Sequence, residues 1–400
     1  MGRSIGVKGV RSSEFRLLTG AWITSLVGDG VRTVALPLYT AVSTRSPLAA
    51  SAVAVAVVLP WLVVALPAGV LVDRWKPRLV VGVAHTFRAV VTGLLAYAVF
   101  TDSATVAVLC AAGFLLTSAE TFADSASQVL LVELAGPDDL EEANGRFVTA
   151  ETIGMDLAGP LAASLLFWWH PAACFALDAL TFVVAAAFVV RLPEVERHEH
   201  PSPGTLRSQL VEGASTLFRV RGLRVLVLAV AVTAVCAAGV NAMLALYSIN
   251  VLGLPEQFVP WLVVVMALGA LVGARLSPRL APRLGAAPVM VGALALLGVA
   301  FAVFGAVPLL PVAIGAVFFF GLASAGWNVL SATRRQRLTP KPLMGRVTSA
   351  YRVLAWGLSP IGAGLAGPLA AGTSLGTVYL VAGGVVVLTA VALARPLART

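Results

Sequence analysis

The residues in this sequence best suited to chemistry are charged groups set inside apolar runs. Asp29 lies about eleven residues into the run 18–42, roughly 16 Å deep at 1.5 Å per residue and close to the midplane of a bilayer. Arg32 follows one helical turn later, a spacing that permits an ion pair. Ionisable groups at that depth are costly and mark ion or proton pathways by default. Two roles stay open for Asp29: half of a structural ion pair lining a cavity, or a carboxylate that exchanges a proton with Arg32 as its counter-ion. Glu120 and Asp124 stand one turn apart on one face of the run 104–132. Neighbouring carboxylates titrate as a unit, which suits a proton relay; the alternative is that they neutralise Arg88, in the run 79–100, or Arg352, in the run 347–371. Asp156 is near mid-depth in the run 147–169, and Asp178, in the run 171–191, is either cavity-lining or a packing hydrogen-bonder.

The proton-coupling candidates are therefore Asp29, Glu120, Asp124 and Asp156, with Arg32, Arg88 and Arg352 as buried charge partners. Beyond residue 224 the one acidic residue is Glu256, in a short loop. Coupling through carboxylates must then reside in the first half. The second half offers Asn241, Tyr247, Trp327, Asn328 and Trp356 as substrate-lining candidates, with packing as the alternative for each aromatic. His85 reads as an interface residue, and the acidic stretch from Glu133 to Glu142 as a solvated turn.

These side chains need helices to hold them in the membrane. Of the 400 residues, 59% are hydrophobic and 12% charged, against about 45–50% and about 25% in an average soluble domain. Runs long enough to cross a bilayer fall at 18–42, 48–72, 79–100, 104–132, 147–169, 171–191, 223–251, 258–278, 285–306, 308–332, 347–371 and 375–394, twelve in all. Placing loops on alternate sides puts 24 of the 28 Lys and Arg on one side, leaving Arg45 opposite and Arg32, Arg88 and Arg352 within spans. By the positive-inside rule both termini are cytoplasmic and the chain sits in the inner or plasma membrane. The net charge of +9 then reports orientation and contact with anionic membrane lipid, with no nucleic-acid partner. Residues 1–18 are basic without an apolar core or cleavage site, and read as a retained lead-in. Cys110, Cys174 and Cys236 lie in separate spans, and the His198-Glu199-His200 run lacks further ligands, so no metal site, cofactor or disulfide is expected.

The polar stretch 192–222 divides the spans six and six: an N-terminal bundle at 1–191, a cytoplasmic linker at 192–222 and a C-terminal bundle at 223–400. The halves match at an offset of 200 residues. Gly145-Arg146 aligns with Gly345-Arg346, Ala150 with Ala350, Pro160 with Pro360, and Gln128-Val129-Leu130 with Asn328-Val329-Leu330. An even number of spans per half makes the repeat parallel, about an axis along the membrane normal.

After span two the chain reads Gly69-Val70-Leu71-Val72-Asp73-Arg74-Trp75-Lys76-Pro77-Arg78. This resembles the loop signature of the major facilitator superfamily, in which the Gly permits close helix packing and Asp with the basic cluster forms a cytoplasmic latch; Gly69, Asp73, Arg74, Lys76 and Arg78 occupy those places. The second-half counterpart, Gly273 to Arg279, keeps basic residues without the Asp. Gly159-Pro160 in span five is similar to the Gly-Pro motif of drug/proton antiporters, without the double Gly that usually follows. Glu120 to Asp124, Ala143 to Arg146, and Gly345 to Arg352 resemble the exporter branch that includes macrolide-efflux and enterobactin-exporter-like proteins. The resemblance covers essentially the whole chain.

It implies an all-α membrane fold of twelve helices in two pseudo-symmetric six-helix bundles, working by alternating access. It further implies export of a small lipophilic or amphipathic compound, a drug, antibiotic or siderophore, by proton antiport, with a single copy sufficing. A proton-coupled importer of a small nutrient is the alternative within the same fold. An enzyme is disfavoured because the sequence has no HExxH, GxSxG or P-loop motif and no catalytic residues can be assigned.

Overall fold

A computed structural model describes residues 9–72, 75–136, 139–193, 206–340 and 343–398, and among them every regular element is helical. In chain order these are α1 (Ser13–Thr44), α2 (Pro47–Val58), α3 (Pro60–Val63), α4 (Ala65–Val72), α5 (Pro77–Phe100), α6 (Val106–Ala135), α7 (Leu140–Glu151), a π-helix (Thr152–Ala158), α8 (Gly159–Trp169), α9 (Pro171–Val190), α10 (Leu206–Arg219), α11 (Arg221–Asn250), α12 (Val259–Leu284), α13 (Ala286–Ala306), α14 (Leu310–Leu338), α15 (Met344–Gly357), α16 (Ser359–Gly372) and α17 (Leu375–Ala398).

Among the described residues, nine spans are long, apolar and nearly continuous. The other three are interrupted for chemical reasons that make twelve in total. Helix α1 is long enough at 32 residues but carries Asp29 and Arg32 at its centre. Span two is cut into α2, α3 and α4, where Pro60 removes a backbone donor. Span five widens into the π-helix just before Pro160. That proline has no N–H to offer the carbonyl four residues earlier, and its ring crowds that carbonyl. In the other half α15 stops at Gly357 and α16 starts at Ser359, so the backbone breaks ahead of Pro360, whereas it widens without a break ahead of Pro160. Apolar side chains that point outward, such as Trp168 at 75% and Leu388 at 70% exposure, are those a lipid-facing surface requires.

Two compact units form. Unit 1 comprises Met1–Tyr39 with Val63–Pro201, and unit 2 comprises Thr40–Leu62 with Ser202–Thr400. Unit 2 thus includes α2, which packs on α11 and α16. There Ser51 Oγ donates to the carbonyl of Ala363 and accepts from Gly367 N at 3.2 Å. The core of unit 2 centres on Tyr247, Phe304 and Tyr379, with ring centroids 4.8–4.9 Å apart. Tyr247 donates to the carbonyl of Phe304 at 2.7 Å, and Tyr379 to that of Val240 at 3.2 Å. Helix α10 packs on α15 in the same unit, joined by an ion pair of Glu212 and Arg346.

Without a hydrophobic force between helices in lipid, close seams depend on small residues. Helices α13 and α17 meet at Gly298 and Gly383, where a methyl group on Gly383 would lie 2.6 Å from the Gly298 carbonyl, while Gly384 next to it faces open space. Gly383→Leu is expected to lower the stability of the purified protein by about 1–3 kcal/mol, and Gly384→Leu to leave it unchanged, as read by thermal unfolding in detergent.

Candidate functional site

Gly28-Asp29-Gly30 lies halfway along α1, about 24 Å from its start at 1.5 Å per residue. The two glycines open α1 on opposite flanks. A methyl group on Gly28 would lie 2.5 Å from Asp178 Oδ1, and one on Gly30 would lie 2.7 Å from the carbonyl of Met155. Helix α9 therefore reaches Asp29 from one side and the π-helix from the other. Gly159 completes the second seam, since a methyl there would lie 2.8 Å from the backbone nitrogen of Val31, and Pro160 beside it is buried. The Gly159-Pro160 pair thus holds span five against α1 at the level of the charges.

Four helices of unit 1 converge on that level. Arg32 Nη2 donates to Asp29 Oδ1 at 2.7 Å and to Glu120 Oε2 on α6 at 3.0 Å, and its Nε lies 3.4 Å from Asp178 Oδ2. Arg88 Nη2, from the middle of α5, donates to the same Asp29 Oδ1 and to Glu120 Oε2 at 3.1 Å. Asp29, Arg32, Arg88 and Asp178 are at most 5% exposed. The Arg88 guanidinium also lies over the Phe182 ring at 4.1 Å, and His85 stacks on the same ring at 5.9 Å. Arg88 is therefore held by two carboxylates and an aromatic face.

Three carboxyl groups, Asp29, Glu120 and Asp178, face two guanidiniums. The cluster carries one net negative charge when all are ionised and is neutral when one carboxyl binds a proton. Hydrogen bonding is incomplete: Arg32 Nε, Arg88 Nε, His85 Nδ1 and both oxygens of Asp178 are buried without a hydrogen-bond partner. A buried network in this state is costly. Asp124 stands one turn beyond Glu120, half-buried and outside the ion pairs.

Other candidate residues fall elsewhere. Asp156 is exposed on the π-helix. Asn241 and Asn328 are exposed on unit 2. Tyr247 and Trp327 require correction: they are 0% and 3% exposed, packed inside two core clusters of unit 2. Their aromatic bulk fills helix seams there, leaving no face to line a pathway. His85 also departs from the interface position, since its stacking on Phe182 buries it. Of the latch residues, Lys76 is exposed at the start of α5 and Arg78 donates to the carbonyl of Val190 at the end of α9. Asp73, Arg74 and the side chains at Gly69, Arg352 and Trp356 lie outside the described residues. Asp178 and Phe182 were legible as one turn of α9; Gly28-Asp29-Gly30 was a further signal, because small residues flanking a buried charge announce close neighbours on both sides.

Removing one guanidinium leaves buried carboxylates uncompensated. Arg88→Met should cost about 3–5 kcal/mol of stability, and adding Asp29→Asn should recover part of that loss, both measured by thermal unfolding of purified protein.

Residues 18–364 match the family model of the Major Facilitator Superfamily. The multidrug efflux pump Tap of Mycolicibacterium fortuitum is 26% identical over 389 residues, covering 91% of each chain. The pump of the same name from Mycobacterium tuberculosis (strain ATCC 25618 / H37Rv) is 29% identical over 381 residues, covering 91% of this chain and 88% of the other. Among solved structures the nucleoside transporter NupG superposes with a TM-score of 0.76 at 15% identity, covering 96% and 98% of the two chains. A twelve-span helical chain whose first unit buries ion pairs at mid-helix, and whose sequence matches this model over most of its length, belongs to the Major Facilitator Superfamily of membrane transporters.

Proposed function

We propose that this transporter exports a small lipophilic or amphipathic compound in exchange for protons, and that the cluster of Asp29, Glu120 and Asp178 with Arg32 and Arg88 carries the coupling. The observation that supports it is the count of three carboxyl groups to two guanidiniums, buried together at mid-helix. A proton arriving neutralises the cluster, and a proton leaving restores its charge; either event changes how tightly α1, α5, α6 and α9 are held together. Asp124 extends the carboxyl chain by one turn of α6 and suits the role of relay. Asp156, exposed on a π-helix that rests against α1 at Gly30, suits contact with the transported compound. Within unit 2, the exposed Asn241 and Asn328 suit polar contact with a substrate.

The outward direction of transport is supported by the Tap relatives, which are named multidrug efflux pumps. The basic loops orient both termini to the cytoplasm, in the inner or plasma membrane. The bodies that move in alternating access follow the expected bundles at 1–191 and 223–400, except that α2, and α10 of the 192–222 stretch, are counted with the second, on which they pack; the loop at 69–78 serves as a cytoplasmic latch and one copy is the working unit. A proton-coupled importer with the same fold would use the same cluster and run its flux inward.

The test uses acid-loaded everted vesicles containing a pH-sensitive dye. Adding ethidium or another lipophilic cation should release the gradient with wild-type protein and fail to do so with Asp29→Asn. Equal release with both proteins would remove Asp29 from the mechanism, and substrate-dependent acidification of the lumen of right-side-out vesicles would favour the importer, because a symporter carries protons inward with its substrate.

A further inference from the structure

Gly145-Arg146 and Gly345-Arg346 match at an offset of 200 residues, and each arginine stands on the helix that opens the fifth span of its half, α7 in unit 1 and α15 in unit 2. Arg146 Nη1 donates to the carbonyl of Val10 at 3.2 Å, and its Nη2 donates to Glu142 Oε1 at 2.7 Å. Asp139, just ahead of α7, accepts from the Val10 backbone N–H at 3.0 Å. Both backbone groups of Val10 are thus taken by side chains at the entrance of span five. Its own side chain, 2% exposed, is buried with Phe15, Ala143 and Phe147. Buried backbone outside regular structure needs such partners, so the chain ahead of α1 has a built seat on α7.

Unit 2 repeats this arrangement with different parts. Arg346 pairs with Glu212 on α10, the helix that leads into α11, and Leu217 of α10 is buried with Val347 and Ala350 of α15. Phe147 and Ala150 of α7 stand at the positions matched by Val347 and Ala350, and all four are buried. The lead-in is a turn in one unit and a helix in the other, so what the halves share is the arginine and the seat beside it.

We propose that Arg146 and Arg346 are equivalent positioning residues, each clasping the chain ahead of its unit's first span to the opening helix of the fifth span of that half, so that the two spans move as one piece. In unit 1 that piece is joined along its length by the Val10 seat, by Trp22 on Phe147 with ring centroids 4.6 Å apart, and by the close approach of Gly30 to the Met155 carbonyl. The last contact lies beside Asp29, so Arg146 helps to hold the π-helix at the charge cluster. Both arginines are partly open to water, where a single ion pair adds little. The buried seat supplies the holding, and the arginine fixes where on it the lead-in sits.

The experiment is hydrogen–deuterium exchange of purified full-length protein, read by mass spectrometry peptide by peptide. Arg146→Gln should speed exchange of residues 10–15 and of α7 about fivefold, the effect of one lost hydrogen bond, and leave unit 2 unchanged. Arg346→Gln should do the same to α10 and α15 and leave unit 1 unchanged. Arg146→Lys, which keeps a charged donor, should restore the wild-type pattern. Unchanged exchange in Arg146→Gln would overturn the proposal, and a local effect in one unit without its counterpart in the other would overturn the equivalence. Faster exchange spread over both units, with a fall in thermal stability, would also overturn it, because the arginine would then only support folding. If Arg146→Gln does not fold, Asp139→Ala, which frees the Val10 N–H, takes its place with the same expectation. The link to transport rests on the coupling proposed above: Arg146→Gln should still bind ethidium and lose proton release on binding, and Arg146→Lys should regain it. A wild type that binds ethidium without releasing protons refutes that coupling, and the exchange data still decide the clasp.

Discussion

Two guanidiniums cannot stay in the middle of a membrane unless carboxylates meet them, and much of unit 1 is arranged around that requirement. Arg32 and Arg88 sit on different helices, so the carboxylates that serve them must come from α1, α6 and α9 at one depth. This condition fixes which faces of these helices point inward. It explains Gly28 and Gly30 on either side of Asp29, because charges are paired only if backbones come close enough. It also places Gly159 and the π-helix where they are, since the same stretch of α1 must accept span five.

In the proposed coupling, the arrangement joins structure to function through charge balance. An ion cluster with equal numbers of each sign would be a rigid staple, strongly destabilised by losing one member. A cluster with one extra carboxyl is different: its favoured protonation depends on how far its members are separated, and their separation depends on the helices that carry them. Any compound or conformational change that moves α1 relative to α5 and α6 then changes proton affinity, which is linkage between two binding events. Unit 2 carries two acids, Glu212, which pairs with Arg346, and Glu256, in the short turn ahead of α12.

Much of this was legible in the sequence, for identifiable reasons. Span number followed from apolar length, and family membership from the loop at 69–78 together with the overall resemblance, because both depend on local composition. The partnership of Asp29 with Arg32 was visible because one turn of helix brings i and i+3 together. The approach of Arg88 to the Asp29 carboxylate and of Asp178 to Arg32 was not, since it depends on how α5 and α9 rotate about their axes, and near-uniform apolar composition conceals that angle. Tyr247 and Trp327 misled for the same reason: an aromatic in a membrane helix has the same sequence signature whether it faces a pathway or a neighbouring helix. The π-helix had a local cause in Pro160, yet a proline in a membrane span is as compatible with a kink as with a widened turn.

The central claim is that the unit 1 cluster itself binds and releases the proton exchanged for the transported compound. The most direct measurement is the pH change of an unbuffered solution of purified protein on adding a bound lipophilic cation, for wild type and for Asp29→Asn, Glu120→Gln and Asp178→Asn. Release of up to one proton per bound ligand by wild type, lost or sharply reduced in at least one of the three variants while ligand still binds, is the predicted result. Undiminished release in all three variants would contradict the account and place the proton elsewhere in the chain.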